Sequence, residues 1–193
     1  MNPSEPTFSM FLAPIANTTP KAAVTLRDVF SYITSDVAKD STSRLRSLAA
    51  EQRAKFKASH FDYCTFSGIY SKRSVKGLVA HSGLICFDFD HLPDVEATFS
   101  TLILDRYFPT LLLFRSPSGD GLKWVISMRE AFSHRAPYFP NDNLITYHSF
   151  FFSAVAQYLR DAYGLEADEQ CKDISRACFL PYDPNAYLNA NIL

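Results

Sequence analysis

Apolar and polar positions alternate along some stretches of the chain and recur every three to four residues along others, and these two rhythms divide it into strands and helices. Residues 7–14, TFSMFLAP, read as a strand that the TTPK of residues 18–21 interrupts. Leu26, Val29, Phe30 and Ile33 then recur at helical spacing, and a second, more charged helix is predicted through Leu45, Leu48 and Ala49 to about Lys55. Residues 61–78, FDYCTFSGIYSKRSVKGL, predict a strand, a glycine-containing turn and a basic loop carrying Lys72, Arg73 and Lys76.

A β-type run, LICFDFD (84–90), follows and stops at His91-Leu92-Pro93. Pro93 suits the first position of a helix over about 93–106, with Asp94 and Glu96 favourable in its first turn. Residues 109–128 form the clearest hairpin pattern, two β-rich runs joined by Ser, Pro, Gly119 and Gly121. A proline-rich loop (136–143) leads to a long helix from about Leu144 to Tyr163, with Gly164 as its left-handed cap and Leu144, His148, Phe151, Phe152, Val155 and Leu159 on its buried face. Residues 173–184, DISRACFLPYDP, read as a short strand stopped by prolines. Strands and helices in mixed order around a hairpin predict an α+β fold with a largely antiparallel sheet and packed helices. An N-terminal αβ unit (about 1–60) is expected to wrap a core (about 61–190) within one domain.

Composition narrows the function classes. The 193 residues are 47% hydrophobic and 15% aromatic, enough for a sizeable core, and the net charge of −1 rules out a global basic field. Phosphate recognition must then be local. Cys64, Cys86, Cys171 and Cys178 form no CxxC pair, which predicts reduced, packed thiols rather than disulfides or zinc. No stretch of about 18 uninterrupted apolar residues occurs and the first residues lack a signal-peptide pattern, so a cytoplasmic protein without a membrane partner is expected.

Along the strand, Leu84, Cys86, Asp88 and Asp90 share one face, which places two carboxylates roughly 6–7 Å apart on one side. Such a pair can hold Mg²⁺ or Mn²⁺, or it can cap the next helix and face water. The hairpin segment RSPSGDGLK (115–123) offers turn amides and the Lys123 charge to a phosphate, although a tight glycine-rich hairpin needs no ligand. In DISRACFLP (173–181), Asp173 could add a third carboxylate and Arg176 a bidentate phosphate contact, or the two could form a salt bridge. His148 reads as a core histidine, His91 as either a loop residue or a neighbour of the site, and SFFFSAV (149–155) as core.

The order of these three segments resembles the three motifs of the primase-polymerase branch of the archaeo-eukaryotic primase superfamily. Asp88 and Asp90 match the DxD of the first motif, and Ser118, Gly119 and Gly121 the second, with Lys123 at the position of that family's histidine. Asp173 and Arg176 match the third. The runs SMFLAPIANTTPKAAVTLRDV, TFSGIYSKRS and HSGLICFDFDHL also resemble the VirE N-terminal-type domain of mobile elements, grouped with those primases; together the likeness covers about residues 8–190.

This resemblance implies an RRM-like catalytic sheet and metal-dependent nucleotidyl transfer in the replication of mobile elements. Asp88, Asp90 and Asp173 would hold Mg²⁺ or Mn²⁺, and Ser118, Gly119, Gly121, Lys123 and Arg176 would hold a nucleoside triphosphate. Lys72, Arg73 and Lys76 would follow the backbone of single-stranded or primed DNA, with a helicase-like ATPase acting in cis or in trans. Two other readings stay open. One is an inactive single-stranded nucleic-acid-binding module beside a helicase; the other is a phosphatase of the haloacid-dehalogenase type, whose first strand also ends in DxD and which needs alternating βα units.

Overall fold

The computed structural model describes residues 5–128 and 144–189; the proline-rich stretch expected as a loop at 136–143 lies outside them. The protein is mixed α+β, and every strand pairing among the described residues is antiparallel. Strand β1 (Phe8–Phe11) and strand β2 (Ala22–Val24) lead to helix α1 (Leu26–Thr34), which starts at a capping box: Thr25 Oγ1 accepts from Asp28 N–H, and Asp28 accepts from Thr25 N–H.

The charged segment expected as one helix is two, α2 (Lys39–Ser47) and α3 (Ala50–His60). Leu48 and Ala49 are extended between them, and Arg53 reaches back to the carbonyls of Leu48 and Arg46. That side chain satisfies acceptors that a continuous helix would have bonded internally.

Strands β3 (Tyr63–Thr65), β4 (Gly68–Tyr70), β5 (Leu78–His81) and β6 (Leu84–Phe89) follow, then helix α4 (Val95–Ile103). Its N-cap is Asp94, whose carboxylate accepts from Ala97 N–H at 2.9 Å, so Pro93 precedes the helix instead of opening it. Strands β7 (Thr110–Arg115) and β8 (Leu122–Ser127) make the expected hairpin. Helix α5 (Leu144–Tyr163) ends at Gly164, whose φ of +66° and N–H bond to the Arg160 carbonyl close it as expected. Two short strands, β9 (Cys178–Phe179) and β10 (Tyr187–Leu188), complete the sheets.

One sheet has the order β10-β7-β8-β6, the second β2-β1-β3-β9, and β4 and β5 form a separate pair. Alternation sorts the central sheet's side chains into two layers. Ile85, Phe87, Phe89, Leu113, Trp124 and Ile126 pack on α5 through Phe151, Phe152, Val155 and Leu159. Leu84, Leu112, Phe114 and Val125 face the other way, against Phe8, Cys64 and Cys178 of the second sheet, Leu180 just beyond it, and α1.

The expected division near residue 60 is therefore not followed by the sheets. Strand β3 pairs with β1 on one side and with β9, more than a hundred residues later, on the other. All four cysteines are free thiols. No helix among the described residues is long and apolar enough to cross a membrane.

Candidate functional site

The site lies where the inter-sheet layer reaches the end of β6. Asp88 and Lys123 are register partners across β6 and β8, so their side chains leave adjacent strands on the same face. They form an ion pair through Asp88 Oδ2 and Lys123 Nζ, with both side chains 10% exposed. Lys123 is thus directed at a carboxylate and not at open solvent.

Burial pushes the Asp88 carboxyl above its ordinary range against the pull of Lys123. Burial also disfavours the Lys123 ammonium, but the Asp88 carboxylate beside it outweighs that and holds its pKa above the usual lysine value.

Past Phe89 the chain turns sharply. Asp90 is exposed, and His91 takes a φ of +55°, in the left-handed region that β-carbon-bearing residues rarely adopt. The bend is pinned to the hairpin turn: Leu92 N–H donates to the Asp120 carbonyl at 2.8 Å, and His91 Nδ1 meets Asp120 Oδ2 at 2.7 Å. Gly121 is required here, because a β-carbon on it would lie 2.1 Å from the Phe89 carbonyl oxygen. Gly119 has a φ of +87° and packs under the Arg46 guanidinium, which donates to the Pro117 carbonyl at 3.2 Å.

The amides of Ser116 and Gly119 close the turn internally. Both glycines therefore have a structural reason independent of any phosphate. Ser118 sits half-buried at the same turn.

The third carboxylate that converges is Asp168. Its backbone N–H donates to the Asp88 carbonyl at 2.8 Å, which brings the segment after α5 alongside the end of β6. Carboxylate oxygens of Asp88, Asp90 and Asp168 lie within 4.8 Å of one another. Among the described residues this group could bind a divalent cation, and its hard oxygen donors suit Mg²⁺, Mn²⁺ or Ca²⁺.

Asp173, expected as the third carboxylate, is not in that group. Its Oδ1 accepts from Ser175 N–H and Oγ at 2.9 Å each, although the residue lines the same cavity. Nor does Arg176 pair with Asp173; it donates to Asp168 Oδ2 at 2.8 Å and to Gln170. No local spacing distinguishes Asp168 from Asp173. The sequence DEQCKDISR holds two aspartates, and only the 3₁₀ turn Glu169–Lys172, which Asp168 caps through Gln170 N–H, decides which faces Asp88.

Asp88 and Asp90, with Asp173, open onto a cavity of about 210 Å³ whose lining includes Lys57, Arg73, Ser116, Lys123 and Arg176. Two buried side-chain polar atoms have no hydrogen-bond partner among the described residues, Asp88 Oδ1 and Ser116 Oγ, and both residues line this cavity. Buried polar atoms are almost always satisfied, so two orphans at one cavity mark a place where something else supplies the partner.

Of the expected backbone-tracking cations, Lys72 and Lys76 are exposed. Arg73 is tied down on the Tyr63 hydroxyl at 3.2 Å and the Ile15 carbonyl at 3.3 Å, with its guanidinium over the Tyr63 ring.

Comparison with known protein families matches residues 55–188 to the BT4734-like, N-terminal domain, well over half of the chain. The chain belongs to the BT4734-like N-terminal domain family. The matched span of this BT4734-like domain runs from within α3 to β10 and includes Asp88, Asp90, Lys123, Asp168 and Arg176. No curated protein and no solved structure matches the chain.

Proposed function

We propose that this BT4734-like domain performs metal-dependent nucleotidyl transfer of the primase-polymerase type, on an RRM-like core, with a nucleoside triphosphate and single-stranded or primed DNA as substrates and a helicase-like ATPase as partner. The observation that carries this reading is the pair of orphaned buried atoms, Asp88 Oδ1 and Ser116 Oγ, at one cavity lined by Asp88, Asp90 and several cations, with Asp168 converging on the same two carboxylates. Asp88, Asp90 and Asp168 would hold Mg²⁺ or Mn²⁺, which supplies Lewis-acid activation of a 3′-hydroxyl and charge neutralisation on the phosphates. Ser116 Oγ can donate to a phosphate oxygen, and Arg176 and Lys57 supply positive charge along the same wall. Lys72 and Lys76, exposed in the loop before β5, would meet the DNA backbone.

The test is incorporation of deoxynucleotides on a primed single-stranded template with Mn²⁺. Asp88→Ala and Asp90→Ala should each abolish it while the far-ultraviolet circular dichroism stays native, and undiminished incorporation by the double variant would refute the assignment.

A second reading is favoured by one feature, the Lys123 ammonium that already neutralises Asp88. On this reading the domain binds single-stranded nucleic acid without chemistry. Calorimetric titration with a deoxynucleoside triphosphate and Mn²⁺ separates the two, since the binding module takes DNA but shows no triphosphate affinity. The antiparallel pairings among the described residues lend no support to the phosphatase reading, which needs alternating βα units.

A further inference from the structure

We infer that the chain by itself builds a site for one divalent cation, at Asp88 Oδ1 with Asp90 and Asp168, and that the Lys123 ammonium permanently fills the second cation position, at Asp88 Oδ2. The inference rests on the metal-dependent reading of the same site.

In a two-metal site one carboxylate bridges both cations, which sit about 3.5–4 Å apart. Asp88 is the carboxylate placed to bridge: it is the most buried of the three, and Asp90 and Asp168 converge on it. Its two oxygens differ. Oδ2 is bonded to Lys123, and Oδ1 has no partner although it is buried. An acidic cluster alone would say little, but here the carboxylate on which two others converge keeps one buried oxygen unsatisfied, and that oxygen needs a cation.

Lys123 cannot vacate its place cheaply. It leaves a central strand opposite Asp88, and the other carboxylate on the small cavity beside it, Asp173, already accepts from Ser175 N–H and Oγ through its Oδ1.

Charge agrees with this count. Three carboxylates are offset by Lys123 and by Arg176, which is paired with Asp168, so the cluster carries a residual charge of about −1. One divalent cation reverses that to a single positive charge, which suits a phosphate. A second would place three net positive charges in a half-buried pocket with no anion present.

The experiment is a Mn²⁺ titration of the full chain without nucleotide, followed by electron paramagnetic resonance and calorimetry, on the native protein, Lys123→Arg and Lys123→Met. The expected result is one Mn²⁺ per chain for the native protein and for Lys123→Arg. Lys123→Met, with its fold checked by circular dichroism, should bind at least tenfold tighter, because the competing charge is gone.

Two Mn²⁺ per native chain would overturn this inference and leave the nucleotidyl-transfer reading standing. Unchanged affinity in a folded Lys123→Met would also overturn it. Absence of Mn²⁺ binding by the native protein would overturn both. Should Lys123→Met fail to fold, the stoichiometries of the native protein and Lys123→Arg decide.

Discussion

His148 makes the stability of the domain depend on pH in a calculable way. Gly83 N–H donates to His81 Nδ1 at 2.9 Å, so the proton of neutral His81 sits on Nε2 and points at His148 Nδ1, 3.3 Å away. His148 in turn donates its own ring proton to the Cys171 backbone. Each ring nitrogen has one role only, and the chain of bonds is complete while both histidines are neutral. Burial, with His81 adding repulsion, lowers the His148 pKa from 6.5 to about 4.

The unfolded chain therefore takes up this proton between about pH 6.5 and 4 while the folded protein does not. Stability is fully present above pH 6.5 and is lost as the pH falls through that window. A depression from 6.5 to about 4 amounts to about 3 kcal/mol between pH 7 and pH 4. Asp88, whose pKa is raised, works in the opposite direction at the acid end of the same window, so the measurement must be a difference.

The variant is His148→Gln, which can accept from His81 and donate to Cys171 but does not titrate. Urea unfolding at pH 7, 5.5 and 4 should show the native protein losing about 3 kcal/mol more than His148→Gln. Parallel pH dependences would refute the conclusion that His148 is held neutral in the fold.

Other outcomes follow from the same geometry. Asp88→Asn should lower stability by roughly 3 kcal/mol, because it leaves the buried Lys123 without its counter-ion, and Asp88→Asn combined with Lys123→Met should recover most of that loss in a thermal-shift double-mutant cycle. Gly121→Ala should cost about 2 kcal/mol or more by chemical denaturation, since its β-carbon meets the Phe89 carbonyl. Asp183→Ala should cost about 2 kcal/mol, because the buried carboxylate accepts from Arg115 N–H at 2.7 Å and from its guanidinium at 3.2 Å. Lys72→Glu with Lys76→Glu should weaken single-stranded DNA binding and flatten its dependence on salt, read by fluorescence anisotropy at several ionic strengths.

Periodicity alone located α1, β6, the β7–β8 hairpin and α5 because each carries its own signal: a capped apolar stripe, a continuous β run, a glycine turn, a long amphipathic face closed by Gly164. It also placed Asp88 and Lys123 on elements whose pairing is now seen. The break between α2 and α3 was hidden because Leu48 and Ala49 are good helix formers, and a side chain five residues on, Arg53, stabilises the interruption.

The convergence of Asp168 was hidden for a related reason. It depends on one backbone bond to the Asp88 carbonyl across eighty residues, which no local spacing encodes. Ser116 escaped as well, since a hydroxyl without a partner can be recognised only once its neighbours are known. Long-range pairing decides such features, and a pattern of apolar positions carries little information about it.

The pairing of β3 with β9, and of β7 with β10, has a consequence for how the domain is made. Residues 178–188 cover an edge of each large sheet, so during synthesis both edges stay open until that segment has left the ribosome. Until then β3 and β7 each present a row of unpaired backbone groups flanked by apolar side chains, a template for pairing with another chain. The ribosome-bound chain should therefore be most prone to aggregation and most dependent on chaperones just before residue 178 emerges, and a truncation before that point should accumulate as insoluble material even though it retains Asp88, Lys123 and Asp168.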